Sequence, residues 1–163
     1  MGNPIFKLAD YLYTTFGDTH TAAIILAAGN STRMGKGINK QLQLVNGTPV
    51  LAHTLLAYQR CALIQDILIV ARPQDFEEIF QICKTYKIKK LRHLVSGGST
   101  RQESAANGMA KIGENVKYVA IADGARCLVT PEMITKVCLR AYRQKAASAA
   151  HLVSDTVKRA TAL

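Results

Sequence analysis

Five short runs rich in apolar residues, at 22–28, 67–71, 91–95, 118–122 and 146–153, are separated by stretches whose apolar positions recur at helical spacing. A run that is apolar at most positions suits a strand covered on both faces, and helical segments between such runs supply the crossovers. The pattern therefore specifies a parallel sheet layered with helices, built from right-handed connections. The helices are predicted over 49–61, 75–87, 101–112 and 131–145. In the second, Phe76, Ile79, Phe80 and Cys83 share one face, and the last opens with Thr130 as cap and Pro131 in the first turn. Asn46-Gly47 marks a tight turn ahead of the first of these helices.

An amphipathic lead-in precedes the pattern, with Asn3-Pro4 as its start, Ile5, Leu8, Leu12 and Phe16 at helical spacing, and Gly17 as its stop. Residues 1–20 are accordingly read as a helical extension and 21–163 as the core. At 163 residues the whole is one domain. The longest unbroken apolar run, 22–28, is far shorter than the roughly 20 residues of a membrane-spanning helix, and the first twenty residues lack the plan of a secretory signal. Cys61, Cys83, Cys127 and Cys138 are spaced neither as a disulfide framework nor as paired zinc ligands, so a reducing, cytoplasmic setting is expected.

The net charge of +10, from 21 Lys and Arg against 11 Asp and Glu, calls for an anionic partner of some kind. The densest basic run, Lys84, Lys87, Lys89, Lys90 and Arg92, is read as a solvated helix end and loop. With Trp absent and aromatics at 6%, stacking platforms for nucleic acid are few.

In an open parallel sheet, ligands bind beyond the carboxyl ends of the strands. After the first run comes a glycine-rich stretch, 29–37, with Arg33, followed by Lys40. It can cradle phosphate oxygens with backbone N–H groups, or it can be a flexible surface loop; it carries neither a Walker ending nor GxGxxG. After the third run, Gly97-Gly98 precede Ser99 to Ser104, where Thr100 with Glu103, or Ser99 with Gln102, makes a capping box. Capping alone leaves the two glycines unaccounted for. After the fourth, Asp123 offers a carboxylate to Mg²⁺, or simply pairs with Arg126. After the fifth, Ser154 to Arg159 add hydroxyls and cations. Loops distant in sequence but landing on one rim, with glycines, cations and one acid, describe a pocket for a polyphosphate and a metal ion.

In order along the chain, LAAGNSTRMG (26–35), Lys40-Gln41, GTPVLAHT (47–54), GGSTRQES (97–104), DGAR (123–126) and DTVK (155–158) resemble the 2-C-methyl-D-erythritol 4-phosphate cytidylyltransferases of non-mevalonate isoprenoid synthesis. The related ribitol-5-phosphate cytidylyltransferases share much of the set. The resemblance implies an α/β class chain with a Rossmann-like three-layer αβα nucleotidyltransferase fold and a mostly parallel central sheet. It also implies transfer of CMP from CTP to a polyol phosphate with Mg²⁺, in a homodimer. Carried over by position, Arg33 and Lys40 would hold the triphosphate and stabilise the transition state. The backbone of Ala27, Ala28 and Gly29, with Gly98 and Ser104, would frame the cytosine, and Asp123 would sit by the metal and ribose. Arg126, Thr156 and Lys158 would serve the acceptor. Two departures are Ala122, where members usually carry His, and Cys127, where they carry Pro.

Members also continue beyond the point matching Leu163, so the core is expected to be incomplete at its C-terminus and to lack a dimerisation arm and further acceptor cations. Weakened activity of this chain alone is the corresponding expectation. The readings kept beside CMP transfer to methylerythritol phosphate are transfer to ribitol 5-phosphate, and a non-catalytic CTP-binding or nucleic-acid-binding remnant.

Overall fold

The computed structural model describes residues 15–29, 39–150 and 152. Four parallel strands form the central sheet: β1 (Thr21–Leu26), β4 (Asp66–Ala71), β5 (Leu91–Ser96) and β6 (Tyr118–Asp123), in the order β5-β4-β1-β6. A separate hairpin pairs β2 (Leu44–Val45) with β3 (Thr48–Pro49). Its turn residues Asn46 and Gly47 both have positive φ, 49° and 73°, the left-handed pair that a two-residue hairpin demands. The helices are α1 (Val50–Arg60), α2 (Phe76–Thr85), α3 (Arg101–Met109) and α4 (Pro131–Gln144), and a 3₁₀ turn spans Pro73–Asp75.

β1 and β4 occupy the centre and are buried on both faces, which is why they read as continuous apolar runs. Every residue of β1 is buried, as is every residue of β4 except its first. On one face Ala23, Ile25, Ile67 and Ile69 pack under Leu51 and Leu55 of α1, Ile79 of α2 and Ile134 and Cys138 of α4. On the other, Ile24, Leu26, Val70 and Val95 meet Ala105 of α3 and Ile112 just beyond it. Full burial of each such Ile or Leu contributes roughly 1.5–3 kcal/mol, so the two-sided strands carry the largest share of the hydrophobic stabilisation.

Two sequence expectations are corrected. Residues 146–150 and 152 form no strand. The segment Ala-Ala-Ser-Ala-Ala presents too little side-chain area to pack as a sheet strand, and most of it is exposed. Phe80 does not share the buried face of α2 and is 54% exposed. The buried stripe runs through Ile79, Ile82 and Cys83, and Phe80 lies about 100° around the helix from Ile79. Of the lead-in, only Thr15 and Phe16 of the helical part fall within the described residues, followed by Gly17 at φ +75°; the positions before them, including Asn3 and Pro4, lie outside. Phe16 rests against the ring of Tyr142, with centroids 5.8 Å apart.

At the amino ends of the strands, Asp66 accepts hydrogen bonds from His20 Nε2 at 2.7 Å and Arg92 Nε at 2.5 Å. Partial burial pushes the Asp66 carboxyl up, but the hydrogen bonds from Arg92 and His20 outweigh it and hold the group below the usual carboxylate value. A depressed carboxyl stabilises the fold above its unfolded value and loses that contribution as pH falls through the folded one. Asp66→Asn is therefore expected to cost about 1 kcal/mol near neutrality, small because Arg92 is largely solvated. The gap from the parent should begin to narrow near the ordinary carboxylate value, about pH 3.9, and go on closing as pH falls through the lower folded value. Thermal melts of both proteins across pH 2–7 check this, and a gap that persists in acid refutes it.

Candidate active site

The strand order places β1 between β4 and β6, so the chain leaves β1 in one direction and returns to its other side only after β5. That reversal opens a crevice at the carboxyl ends. There the described residues enclose a cleft of about 350 Å³. All four parallel strands contribute to it: Ala28 and Gly29 after β1, Arg72 and Pro73 after β4, Gly97 to Arg101 after β5, and Asp123 and Ala125 at the end of β6. Lys40, Gln41 and Ser104 complete the wall.

Backbone pairing fixes these loop exits. Ala27 N–H donates to Val70 O at 2.6 Å, Gly97 N–H to Ala71 O at 2.9 Å, and Gly124 N–H to Leu26 O at 2.8 Å. Thr54 Oγ1 in α1 donates to Gly124 O at 2.9 Å, so the loop carrying Asp123 is tied to a buried helix position. Thr100 caps α3 by accepting from Glu103 N–H, while Glu103 Oε2 accepts from Ser99 N–H and Oγ, both at 2.7 Å. These bonds hold the Glu103 carboxyl below its usual value. Ser104 Oγ reaches back to accept from Gly98 N–H at 3.1 Å.

Capping thus explains Thr100 and Glu103, and close approach explains the two glycines. A Cβ on Gly97 would lie 2.3 Å from Ala28 Cβ, and one on Gly98 would lie 2.3 Å from Glu103 Cβ.

The cleft is cationic. Lys40, Arg72 and Arg101 line it, with Asp123 as its one acid among the described residues. Asp123 is bracketed by guanidinium groups, Arg101 Nη2 at 3.2 Å from Oδ1 and Arg126 Nη2 at 3.1 Å from Oδ2. The simple pairing with Arg126 therefore exists, and Arg101 adds to it. Arg126 itself does not line the cleft; it stands outside, reaching it through Asp123. Ala27 is fully buried beneath the floor with its N–H spent on Val70.

Of the residues singled out from sequence, the structure gathers Ala28, Gly29, Lys40, Gly98, Ser104 and Asp123 at one site. Arg33, Thr156 and Lys158 lie outside the described residues. Arg72 escaped the sequence reading although the rule that found the others applies to it: it is the first residue after β4.

A family model for 2-C-methyl-D-erythritol 4-phosphate cytidylyltransferase matches residues 21–163. The chain belongs to this cytidylyltransferase family. The enzyme of that name from Alkaliphilus metalliredigens is 39% identical over 137 residues, covering 83% of this chain and 57% of the relative. Its counterpart from Syntrophus aciditrophicus is 42% identical over 137 residues, covering 83% and 58%. Among solved structures, 4-diphosphocytidyl-2C-methyl-D-erythritol synthase from Anaerococcus prevotii superposes with a TM-score of 0.67 at 26% identity, over 87% of this chain and 55% of that one. The chain thus spans under two thirds of the length of these cytidylyltransferase relatives. The superposition bears out the α/β nucleotidyltransferase fold with a mostly parallel sheet expected for the family. No described helix is long and apolar enough to cross a membrane.

The resemblance read from the sequence carries the expectation of Mg²⁺. Among the described residues no group of three or more His, Cys, Asp and Glu side chains could cage a metal. A single carboxylate is nevertheless adequate for Mg²⁺ that draws its other ligands from phosphate and water. Asp123 is the carboxylate of the described cleft that would hold such an ion.

Proposed function

We propose that this chain forms the nucleotide-binding core of a cytidylyltransferase that moves CMP from CTP to 2-C-methyl-D-erythritol 4-phosphate and releases pyrophosphate. The observation that carries this reading is the convergence of Lys40, Gly98 with Ser104, and Asp123, from three separate segments, on one cationic cleft in a chain of this family.

A phosphate oxygen of the acceptor attacks the α-phosphorus of CTP in line, forming the new P–O bond as the bond to pyrophosphate breaks. The nucleophile is already an anion and needs no base. Catalysis then rests on positioning and on cancelling charge as it moves toward the leaving group. Lys40, with Arg33, supplies fixed positive charge to the triphosphate. The backbone at Gly98 frames the base, and Ser104 holds that backbone by accepting from Gly98 N–H. Mg²⁺, when bound, neutralises phosphate charge, and Asp123 is the residue that would hold it. Arg101, which lines the cleft, and Arg126, outside it, hold the Asp123 carboxylate between them. Arg126, Thr156 and Lys158 are assigned to the acceptor side.

Two measurements test the reading. CTP with Mg²⁺, at a hundred times its Kd, should stabilise the protein by about 2.7 kcal/mol in a thermal melt. Pyrophosphate should be released with methylerythritol phosphate and not with ribitol 5-phosphate. A protein that CTP leaves unstabilised and that releases no pyrophosphate with methylerythritol phosphate overturns the proposal.

A further inference from the structure

Gln41 is 3% exposed and lines the cleft, yet its side-chain Oε1 is buried without a hydrogen-bond partner. A buried amide oxygen left unpaired costs roughly 1–3 kcal/mol, and folded proteins tolerate few of them.

The residue is not loosely placed. Its backbone N–H donates to Asn39 Oδ1 at 3.2 Å, and its carbonyl accepts from Leu51 N–H at 2.9 Å. Asn39 in turn donates through Nδ2 to Asp75 Oδ2 at 3.0 Å. Asp75, 7% exposed, sits at the N-cap position of α2 without capping it. It instead takes a two-pronged bond from Arg72, Nε at 2.7 Å and Nη2 at 3.0 Å. A run of polar contacts from the end of β4 therefore fixes the backbone of the 39–41 turn and ends at an acceptor with nothing to accept from. An amide that is merely structural would have its oxygen satisfied within the same network.

We propose that Gln41 is a nucleotide contact, its Oε1 accepting a hydrogen bond from an O–H or N–H donor of the bound nucleoside triphosphate. Asn39 and Asp75 act as positioning residues for it. This rests on the nucleotide reading of the cleft and adds a contact which that reading does not assign.

The test separates stability from binding. Gln41→Met keeps the volume and removes the orphaned oxygen. The unliganded variant should melt at the parent temperature or above it, while its Kd for CTP with Mg²⁺, by calorimetric titration, rises about tenfold, the loss of roughly one good hydrogen bond. Asn39→Ala, which keeps the amide but frees the turn, should weaken CTP binding in the same direction and by less. Should Gln41→Met not fold, the Asn39→Ala titration decides alone. Parent protein that binds CTP together with variants that bind it equally well overturns the Gln41 assignment and leaves the nucleotide reading standing. Parent protein that fails to bind CTP overturns the nucleotide reading, and the Gln41 assignment falls with it.

Discussion

Lys40→Ala is expected to slow CMP transfer by roughly 10²–10³, the loss of about 3–4 kcal/mol of transition-state stabilisation. Two features make Lys40 the cation to choose. It lines the cleft, on the turn between Asn39 and Gln41 whose backbone is bonded on both sides. The change toward pyrophosphate in the transition state adds negative charge where the triphosphate ends. A cation there is worth more in the transition state than in the ground state, so kcat should fall by more than the Kd for CTP rises. Pyrophosphate release under saturating CTP measures this. An unchanged rate would remove Lys40 from the role.

Gly97→Ala is expected to damage both the fold and the site. The new methyl would stand 2.3 Å from Ala28 Cβ and 3.2 Å from Ser104 Oγ. Ala28 Cβ can move only with its backbone, and Gly97 is anchored by its N–H bond to Ala71 O. The exits of β1 and β5 must therefore be pushed apart, at a cost of about 1–3 kcal/mol typical of overpacking. Since Ala28 and Ser104 both line the cleft, CTP affinity should fall at least about tenfold, the equivalent of roughly 1.4 kcal/mol. Gly29→Ala is the control for stability, because a Cβ there meets nothing within 4 Å. Melting temperatures of the two variants test the contrast in stability, and CTP titration of Gly97→Ala against the parent tests the site; equal melting temperatures or an unchanged Kd would refute the prediction.

Local chemistry made part of this structure legible in the sequence. Asn46-Gly47 specifies its own turn, Thr130-Pro131 its own helix start, and the runs at 22–28 and 67–71 could only be central strands. The strand-end rule then located most of the cleft without any knowledge of strand order. What escaped depended on neighbours. The run at 146–153 has strand-like hydropathy, but a strand needs a ladder partner and side-chain area, and five residues dominated by alanine offer little of the second. Phe80 has the right spacing on its own helix, yet the sheet meets α2 along Ile79, Ile82 and Cys83 and leaves it outside. The two glycines looked like room for a ligand, and their closest constraint is Ala28 and Glu103. Gln41 carries no mark in sequence of being an unpaired acceptor, because that follows from what Asn39, Leu51 and Asp75 do around it.

The neighbour relations of β1 bear on how the molecule comes into being. Its first residues lie against Asp66 on one flank and Tyr118 on the other, so a ribosome emitting the chain from its amino end presents this strand, buried throughout in the folded protein, long before its second flank exists. Until then the strand must be shielded from self-association, and the cleft, which needs both flanks, is among the last things to assemble. CTP should therefore act on the rate at which the finished protein comes apart and have little influence on how fast it forms.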